Sequence, residues 1–441
     1  LSPKLAYSIG ALAASICSQA FAAYIIFFYV DVVRLPAYLA TIGLLIFGVW
    51  NAINDPIAGF ISDHSHFKTG RRIPYILYCA IPLGLIFFLI FSPPFNSFDE
   101  LGFLFLYFVL AICLFDLFYT FAFINWSALY PEMFYKLKER TQVNALRQAF
   151  VFFGLLIGVA LPPMIFGRWG WEWMGAILGA IVSISFLISL LGSREHLEYS
   201  HEHQLSFWPS IAATFKNRSF ITFALANLLC QYAFVLILAS MSFFAKYVLY
   251  LRPAQTTGVL AIAFFTALPM LFVWRFIVNR LGARNAYMLA MAVTALSLLP
   301  LSVITTESQA RLTVVFIGMG ISGLLLMVDV LLSDIIDEDE LHTKTRREGM
   351  YFGTTAFISR FAIGLEALTI GWIFIRTAYN PYVFTQTREF ISGVRFLMTG
   401  MPAIALLAAF VIISWYPLSG KKTFKKLHKD LEKLHEEKGV T

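Results

Sequence analysis

"GFLFLYFVLAICLFDLFYTFAFINWSALY", residues 102–130, holds one charged side chain, Asp116, in a run long enough to cross a bilayer. A hydrocarbon core of roughly 30 Å takes about 20 apolar residues in helical form. With no water beside it, the backbone must close its own hydrogen bonds. The stretch reads as a membrane-spanning helix that carries a carboxylate where lipid would reject one.

Outward from it the pattern repeats. Apolar runs cover 5–31, 36–62, 73–93, 102–130, 143–167 and 172–192, then 220–250, 256–279, 283–304, 310–336, 349–377 and 390–416. The first run is longer than a signal-peptide core and ends in no small-residue cleavage motif, so it is expected to remain as a helix. Only 13% of the 441 residues are charged, against roughly 25% in a soluble domain, so a water-soluble shell cannot be built. The expected class is an all-α integral membrane protein of about twelve transmembrane helices. A β-barrel would show short alternating segments instead.

A polar break at residues 193–219 divides the runs into two sets of six. It gives an N-terminal bundle over 1–192, a linker over 193–219, a C-terminal bundle over 220–416 and a basic tail over 417–441. "SDHSHFKTGRR" after the second run and "NRLGARNAY" after the eighth are short Gly/Arg turns at corresponding places, a faint sign of duplication. Carriers built from repeats place their site near the midplane between them. Lys68, Arg71, Arg72, Lys138, Arg194, Arg280, Arg284, Arg346 and the lysines of the tail fall on one side. The positive-inside bias then puts both termini in the cytoplasm, in a plasma (inner) membrane. The net charge of +7 follows from this topology and from anionic lipid headgroups, and implies no nucleic acid. Trp208–Phe215 and the tail read as surface helices on the membrane. The dispersed Cys17, Cys79, Cys113 and Cys230 read as buried thiols, and His196, His201 and His203 as a solvated linker, so no metal and no cofactor is expected.

Charges inside a bilayer are expensive and usually functional. Asn51, Asn54 and Asp55 stand at i, i+3 and i+4 in "NAINDPIAGFISD", one face of the second helix. Pro56 can free a carbonyl there. One carboxylate with amide oxygens suits Na⁺ or a titrating proton, and an interhelical hydrogen-bond knot is the alternative. On the fourth helix Asp116, Thr120 and Phe123 share a face, and Thr120 is placed to add its hydroxyl. Arg147 on the fifth helix is expected to pair with Asp55 or Asp116. On the eleventh, Arg360 and Glu366 point apart, with Glu366 turned towards Asp329. Gly154 and Gly158 form a GxxxG that close packing explains.

"NAINDPIAGFISDHSHFKTGRRIPYI", "INWSALYPEM", "RTQVNALRQAFVFFG" and "LLSDIIDEDELHTKTRREGMYFGTTAFISRF" resemble the glycoside–pentoside–hexuronide:cation symporter family (melibiose-permease-like) of the major facilitator superfamily. The resemblance implies two six-helix bundles, alternating access and a cation site at Asn51, Asn54, Asp55 and Thr120. Asn51 stands where the family has a carboxylate, which favours H⁺ over Na⁺ as the coupling ion. The family's sugar-binding carboxylates fall at Ser15 and Phe123, and its eleventh-helix lysine at Arg360. The candidate substrate residues are Ser15, Asp116, Tyr119, Phe123, Arg147, Thr355 and Arg360. Asp63, Arg71 and Arg72 are candidate gating residues, through charge pairs on the cytoplasmic side.

The expected function is cation-coupled transport of a sugar, glycoside or related small polar solute by a monomer in contact with membrane lipids. A lysolipid or other amphiphile is the competing substrate class, since Ser15 and Phe123 remove carboxylates from the site. An integral-membrane enzyme or a receptor is a distant alternative. The histidines lie in loops and tail, no catalytic motif is present, and a receptor leaves the intramembrane charges unexplained.

Overall fold

A computed structural model describes residues 2–63, 65, 70–95, 100–134, 137–195, 216–343, 348–383 and 385–418. Among these residues there is no strand. Twelve helices are long and apolar enough to cross a membrane: α1 Pro3–Val32, α2 Ala37–Gly59, α3 Ile73–Ile90, α4 Leu101–Tyr130, α5 Gln142–Trp169, α6 Trp171–Leu191, α7 Arg218–Val248, α8 Pro253–Leu281, α9 Ala283–Ser302, α10 Glu307–Thr343, α11 Gly353–Arg376 and α12 Arg388–Ser414. They coincide with the twelve apolar runs, apart from residues at their ends. The proposed surface helices at Trp208–Phe215 and in the tail, and the linker histidines, lie outside the described residues.

Helix α3 shows how these sequences bury one face. Ile76, Ala80, Leu83 and Phe87 recur at helical spacing and are buried, while Leu77, Ile81 and Leu85 on the other side are exposed. Its partner is α6, and small residues set the distance. A Cβ on Gly84 would lie 2.5 Å from the Gly179 carbonyl oxygen. Beside this contact the Ser183 hydroxyl donates to the Ala80 carbonyl at 2.8 Å. Small residues let two backbones meet where lipid supplies no hydrophobic drive.

Arginines close two helix ends. Arg395 donates to the carbonyls of Leu301 (3.1 Å), Ser302 (2.8 Å) and Ile304 (2.9 Å), at the end of α9. Arg284 donates to those of Ile413 and Ser414, at the end of α12. Cations here satisfy orphan carbonyls and oppose the negative end of the helix dipole.

By contact the chain forms two compact units. One comprises Leu1–Gln204, Met241–Ala261 and Ala367–Phe390, the other Leu205–Ser240, Ile262–Glu366 and Ile391–Thr441. The faint repeat noted in the sequence has a backbone counterpart. Gly70 (φ 109°), in the turn that leads into α3, and Gly282 (φ 83°), directly before α9, both take the left-handed conformation that glycine tolerates. At Gly70 a side chain is excluded twice, because a Cβ would also collide with the Glu195 carboxylate.

Replacing Gly179 by valine should force α3 and α6 apart. Overpacking of this kind costs about 1–3 kcal/mol, so the thermal midpoint of the detergent-solubilised protein should fall by several degrees. An unchanged midpoint would show that the α3–α6 contact is loose.

Candidate functional site

Helices α2 and α4 run in the same direction and are joined by a ladder of side-chain hydrogen bonds. Asn51 Nδ2 donates to Asp116 Oδ1 at 2.5 Å. Asn54 Nδ2 donates to Asp116 Oδ2 at 3.0 Å and to the Asp116 carbonyl at 3.1 Å. Thr120 Oγ1 donates to Asp55 Oδ1 at 3.0 Å, and Trp50 Nε1 to the Cys113 carbonyl at 3.0 Å. The i, i+4 pair Asn51/Asp55 thus faces the i, i+4 pair Asp116/Thr120. Asn54, Asp116 and Thr120 are buried, while Asp55 is half-buried.

The four residues expected to hold a cation therefore come together, and a fifth joins them. Asp116, expected on the substrate side, accepts the amide protons of both asparagines. A second carboxylate enters the cluster from α4, although Asn51 carries no charge. Amide donors here satisfy carboxylate lone pairs in place of water. Both Asp116 oxygens are engaged in this way. Asp55, the more open carboxylate, takes the hydroxyl of Thr120.

Arg147 departs from expectation. Among the described residues no carboxylate is paired with it. Its guanidinium carbon instead lies 4.6 Å from the ring centroid of Trp126 and 4.7 Å from that of Tyr130. The reason is position along α4. Trp126 and Tyr130 follow Asp116 by roughly 15–20 Å at 1.5 Å per residue, so the rings, and not the carboxylate, meet the guanidinium. The platform is fixed, because Trp126 Nε1 donates to the Tyr7 carbonyl (3.0 Å) and the Tyr7 hydroxyl to the Trp126 carbonyl (2.8 Å). A cation–π contact contributes about 0.5–2 kcal/mol and leaves the N–H edge of the guanidinium able to meet an anionic or hydroxyl-rich ligand.

An aromatic ladder connects the two features. Phe115, Tyr119 and Phe123 stack along one side of α4, with centroids 6.0 and 5.5 Å apart, and Trp126 follows Phe123 at 6.1 Å. Tyr119 and Phe123 were expected near substrate. Trp126 and Tyr130 were missed, although their four-residue spacing continues the same stripe.

Other expected positions behave differently. Ser15 is buried and its hydroxyl donates to the Val151 carbonyl at 2.9 Å, so packing of α1 on α5 employs it rather than the ladder. Gly154 makes this possible, since a Cβ there would lie 2.5 Å from the Ser15 Cβ. Thr355 is buried and Arg360 half-buried on α11, both in the second compact unit. Glu366 is buried on α11, while Asp329 on α10 is exposed. At the start of α3, the Glu195 carboxylate accepts the backbone N–H of Arg71 (2.9 Å) and Arg72 (3.1 Å) and lies 3.7 Å from the Arg71 side chain. This caps the positive end of α3 and ties Arg71 to the segment after α6. The side chain of Asp63 lies outside the described residues.

Twelve helices able to span a membrane, with a polar ladder among them, fit a membrane transporter. The chain belongs to the MFS/sugar transport protein family, whose sequence model matches residues 6–420. It is similar to sodium-dependent lysophosphatidylcholine symporter 1 of Mus musculus, with 24% identity covering 98% of this chain and 88% of that one. It is also similar to the putative glycoside/cation symporter YagG of Escherichia coli, with 23% identity covering 94% and 92%. The crystal structure of the nucleoside transporter NupG superposes with a TM-score of 0.66 at 11% identity, covering 94% of this chain and all of that one. That likeness shows the major facilitator fold.

A charge exchange tests the ladder. Asn51→Asp alone sets a second carboxylate against Asp116 and should destabilise the protein at neutral pH by about 1–3 kcal/mol. The double variant Asn51→Asp/Asp116→Asn restores donor and acceptor in reverse and should regain most of the lost thermal midpoint. Failure of the second change to rescue the first would mean that the two side chains do not meet.

Proposed function

We propose that the protein is a cation-coupled symporter for a sugar, glycoside or related small polar solute. It works by alternating access in the plasma (inner) membrane, with both termini in the cytoplasm. The α2–α4 ladder carries this reading, because it collects two carboxylates, two amides and a hydroxyl inside an apolar span. Such a set favours a small hard cation over a soft metal. The proposed coupling residues are Asn51, Asn54, Asp55, Asp116 and Thr120. Tyr119, Phe123 and Arg147, with Thr355 and Arg360 of α11, are proposed for substrate. The glycoside/cation symporter among the relatives supports this class. We read the protein as a transporter rather than an enzyme or receptor, since its family is one of transporters.

Proton coupling is the preferred form. Asp116 has both oxygens engaged by amide protons, so Asp55 is the carboxylate placed to load and release a proton. Asp116 also returns the negative charge that Asn51 lacks, which supports Na⁺ more than the sequence alone did. In proteoliposomes, uptake should follow a pH gradient and be indifferent to a Na⁺ gradient at fixed pH. Asp55→Asn should abolish concentrative uptake and retain exchange. Uptake driven by Na⁺ at fixed pH would replace the proton by sodium, and full uptake in Asp55→Asn would remove the ladder from coupling.

A lysolipid is the second reading. Arg147 supports it, standing on rings with no carboxylate partner among the described residues, as does the lysophosphatidylcholine symporter among the relatives. A panel of methyl glycosides, pentosides and lysophosphatidylcholine separates the two by thermal shift. Stabilisation by a glycoside or pentoside is expected, and stabilisation by lysophosphatidylcholine alone would transfer the proposal to lipid. For orientation, cysteines at Ser65 and Ser419 should react with impermeant maleimide only after the cells are opened. Labelling of either one in intact cells would reverse the topology.

A further inference from the structure

Asp31 lies at the end of α1 remote from Pro3, and its side chain is 1% exposed. It accepts from Lys246 Nζ at 2.5 Å, from the Tyr379 hydroxyl at 2.5 Å and from the Tyr247 hydroxyl. Lys246 and Tyr247 end α7, and Tyr379 follows α11. All four residues belong to the first compact unit, in which the segments Met241–Ala261 and Ala367–Phe390 pack with the first six helices. Neither the ladder on α2 and α4 nor the aromatic stripe uses any of them.

The backbone that presents Asp31 and Tyr247 is the same structure made twice. Phe27–Val32 and Phe244–Val248 are both π-helical, and each is followed by a non-glycine residue at positive φ, Arg34 (69°) and Tyr250 (52°). In the first copy the N–H of Val33 donates to Phe28 and that of Leu35 to Tyr29. In the second, Leu249 donates to Phe244 and Leu251 to Ala245. Asp31 and Tyr247 are equivalent positions in copies 216 residues apart. A π-turn adds a residue to the helical turn and often marks a functional site, and positive φ in non-glycine residues costs energy that surrounding structure must hold.

Around the four polar residues is an aromatic collar. Phe27 meets Phe243 (5.0 Å), Phe243 meets Phe374 (4.9 Å), and Phe390 meets Tyr379 (4.7 Å) and Tyr247 (5.6 Å). Burial, then the charge of Asp31, pushes the Tyr379 hydroxyl well above its ordinary range, so it remains a donor. Two further contacts close the same region. A Cβ on Gly371 of α11 would collide with the Thr41 hydroxyl of α2, and one on Gly167 of α5 would collide with the ring of Pro253 of α8.

We propose that Asp31, Lys246, Tyr247 and Tyr379 form a latch that holds the ends of α1, α7 and α11 together. The latch must release before substrate can pass at that end of the protein. Asp31 is the hub, since its carboxylate is the acceptor of all three bonds. The three donors are graded, because Lys246 brings a charge and the tyrosines bring only hydroxyls. In the orientation proposed above this end is the outer mouth, which the test does not require.

Hydrogen–deuterium exchange of the full chain in nanodiscs reads the latch without any substrate, so its outcome is independent of which solute or ion is carried. Asp31→Asn should raise exchange across residues 27–35, 244–252 and 377–383 by about tenfold or more, the effect of losing a charge-assisted hydrogen bond of roughly 1.5 kcal/mol or above. Exchange at the α3–α6 contact should stay as in the wild type. Tyr379→Phe and Lys246→Met should give smaller rises in the same three segments, and neither should add to Asp31→Asn. If Asp31→Asn does not fold, Tyr379→Phe, which removes one hydroxyl, still decides the matter. Unchanged exchange in the three segments would overturn the latch. A rise spread evenly over all helices would overturn it too, by showing a merely structural pair.

Discussion

Hydrocarbon offers no hydrogen bond, and Asp116 meets that constraint by taking amide protons from a neighbouring helix. Around this interaction the pairing of α2 with α4 is arranged, with Asp55 on Thr120 one turn further on. An unpartnered charge at such a depth costs about 2.5–3.5 kcal/mol on insertion scales, more than a typical helix contact supplies. The polar residues therefore set the register of the two helices, and the apolar ones fill in around them. The aromatic stripe from Phe115 to Trp126 runs beside the ladder along α4.

The fold was legible because lipid imposes a simple rule. Residues 102–130 could be read as a helix from length and polarity, and the other eleven helices by the same test. The α2 face was legible too, since Asn51, Asn54 and Asp55 share a face in any helix. Their partner on α4 was only half legible. Thr120 could be assigned, but Asp116 was given to substrate, because which helix faces which is a tertiary fact that periodicity does not contain. Arg147 was paired with a carboxylate on charge alone, and the distance along α4 gave it to Trp126 and Tyr130. The packing of Ser15 was not legible for a related reason, since a sequence does not show that a small residue stands opposite Gly154.

The positions missed altogether lie at helix ends. Asp31 and Lys246 fall at the ends of apolar runs, where a charge normally meets water. What distinguishes Asp31 is burial, created by three chain segments far apart in sequence. A signal did exist in "FFYVDVVRLPA" and "FFAKYVLYLRPA", two stretches with matching aromatic starts and a proline soon after. It becomes readable once both are seen to end in a π-turn and a left-handed residue.

That repeated ending decides what α1 and α7 can offer each other. Two identical copies would place like beside like, an aspartate against an aspartate or a tyrosine against a tyrosine. In this chain one copy presents an acceptor, Asp31, and the other a donor at the equivalent place, Tyr247, with a lysine next to it. The backbone has one form in both places while the side chains are complementary, as a plug and a socket. Two aspartates at these places would repel, and two tyrosines would leave Lys246 without a charged acceptor, so the pairing needs the two ends to differ in side chain while agreeing in backbone.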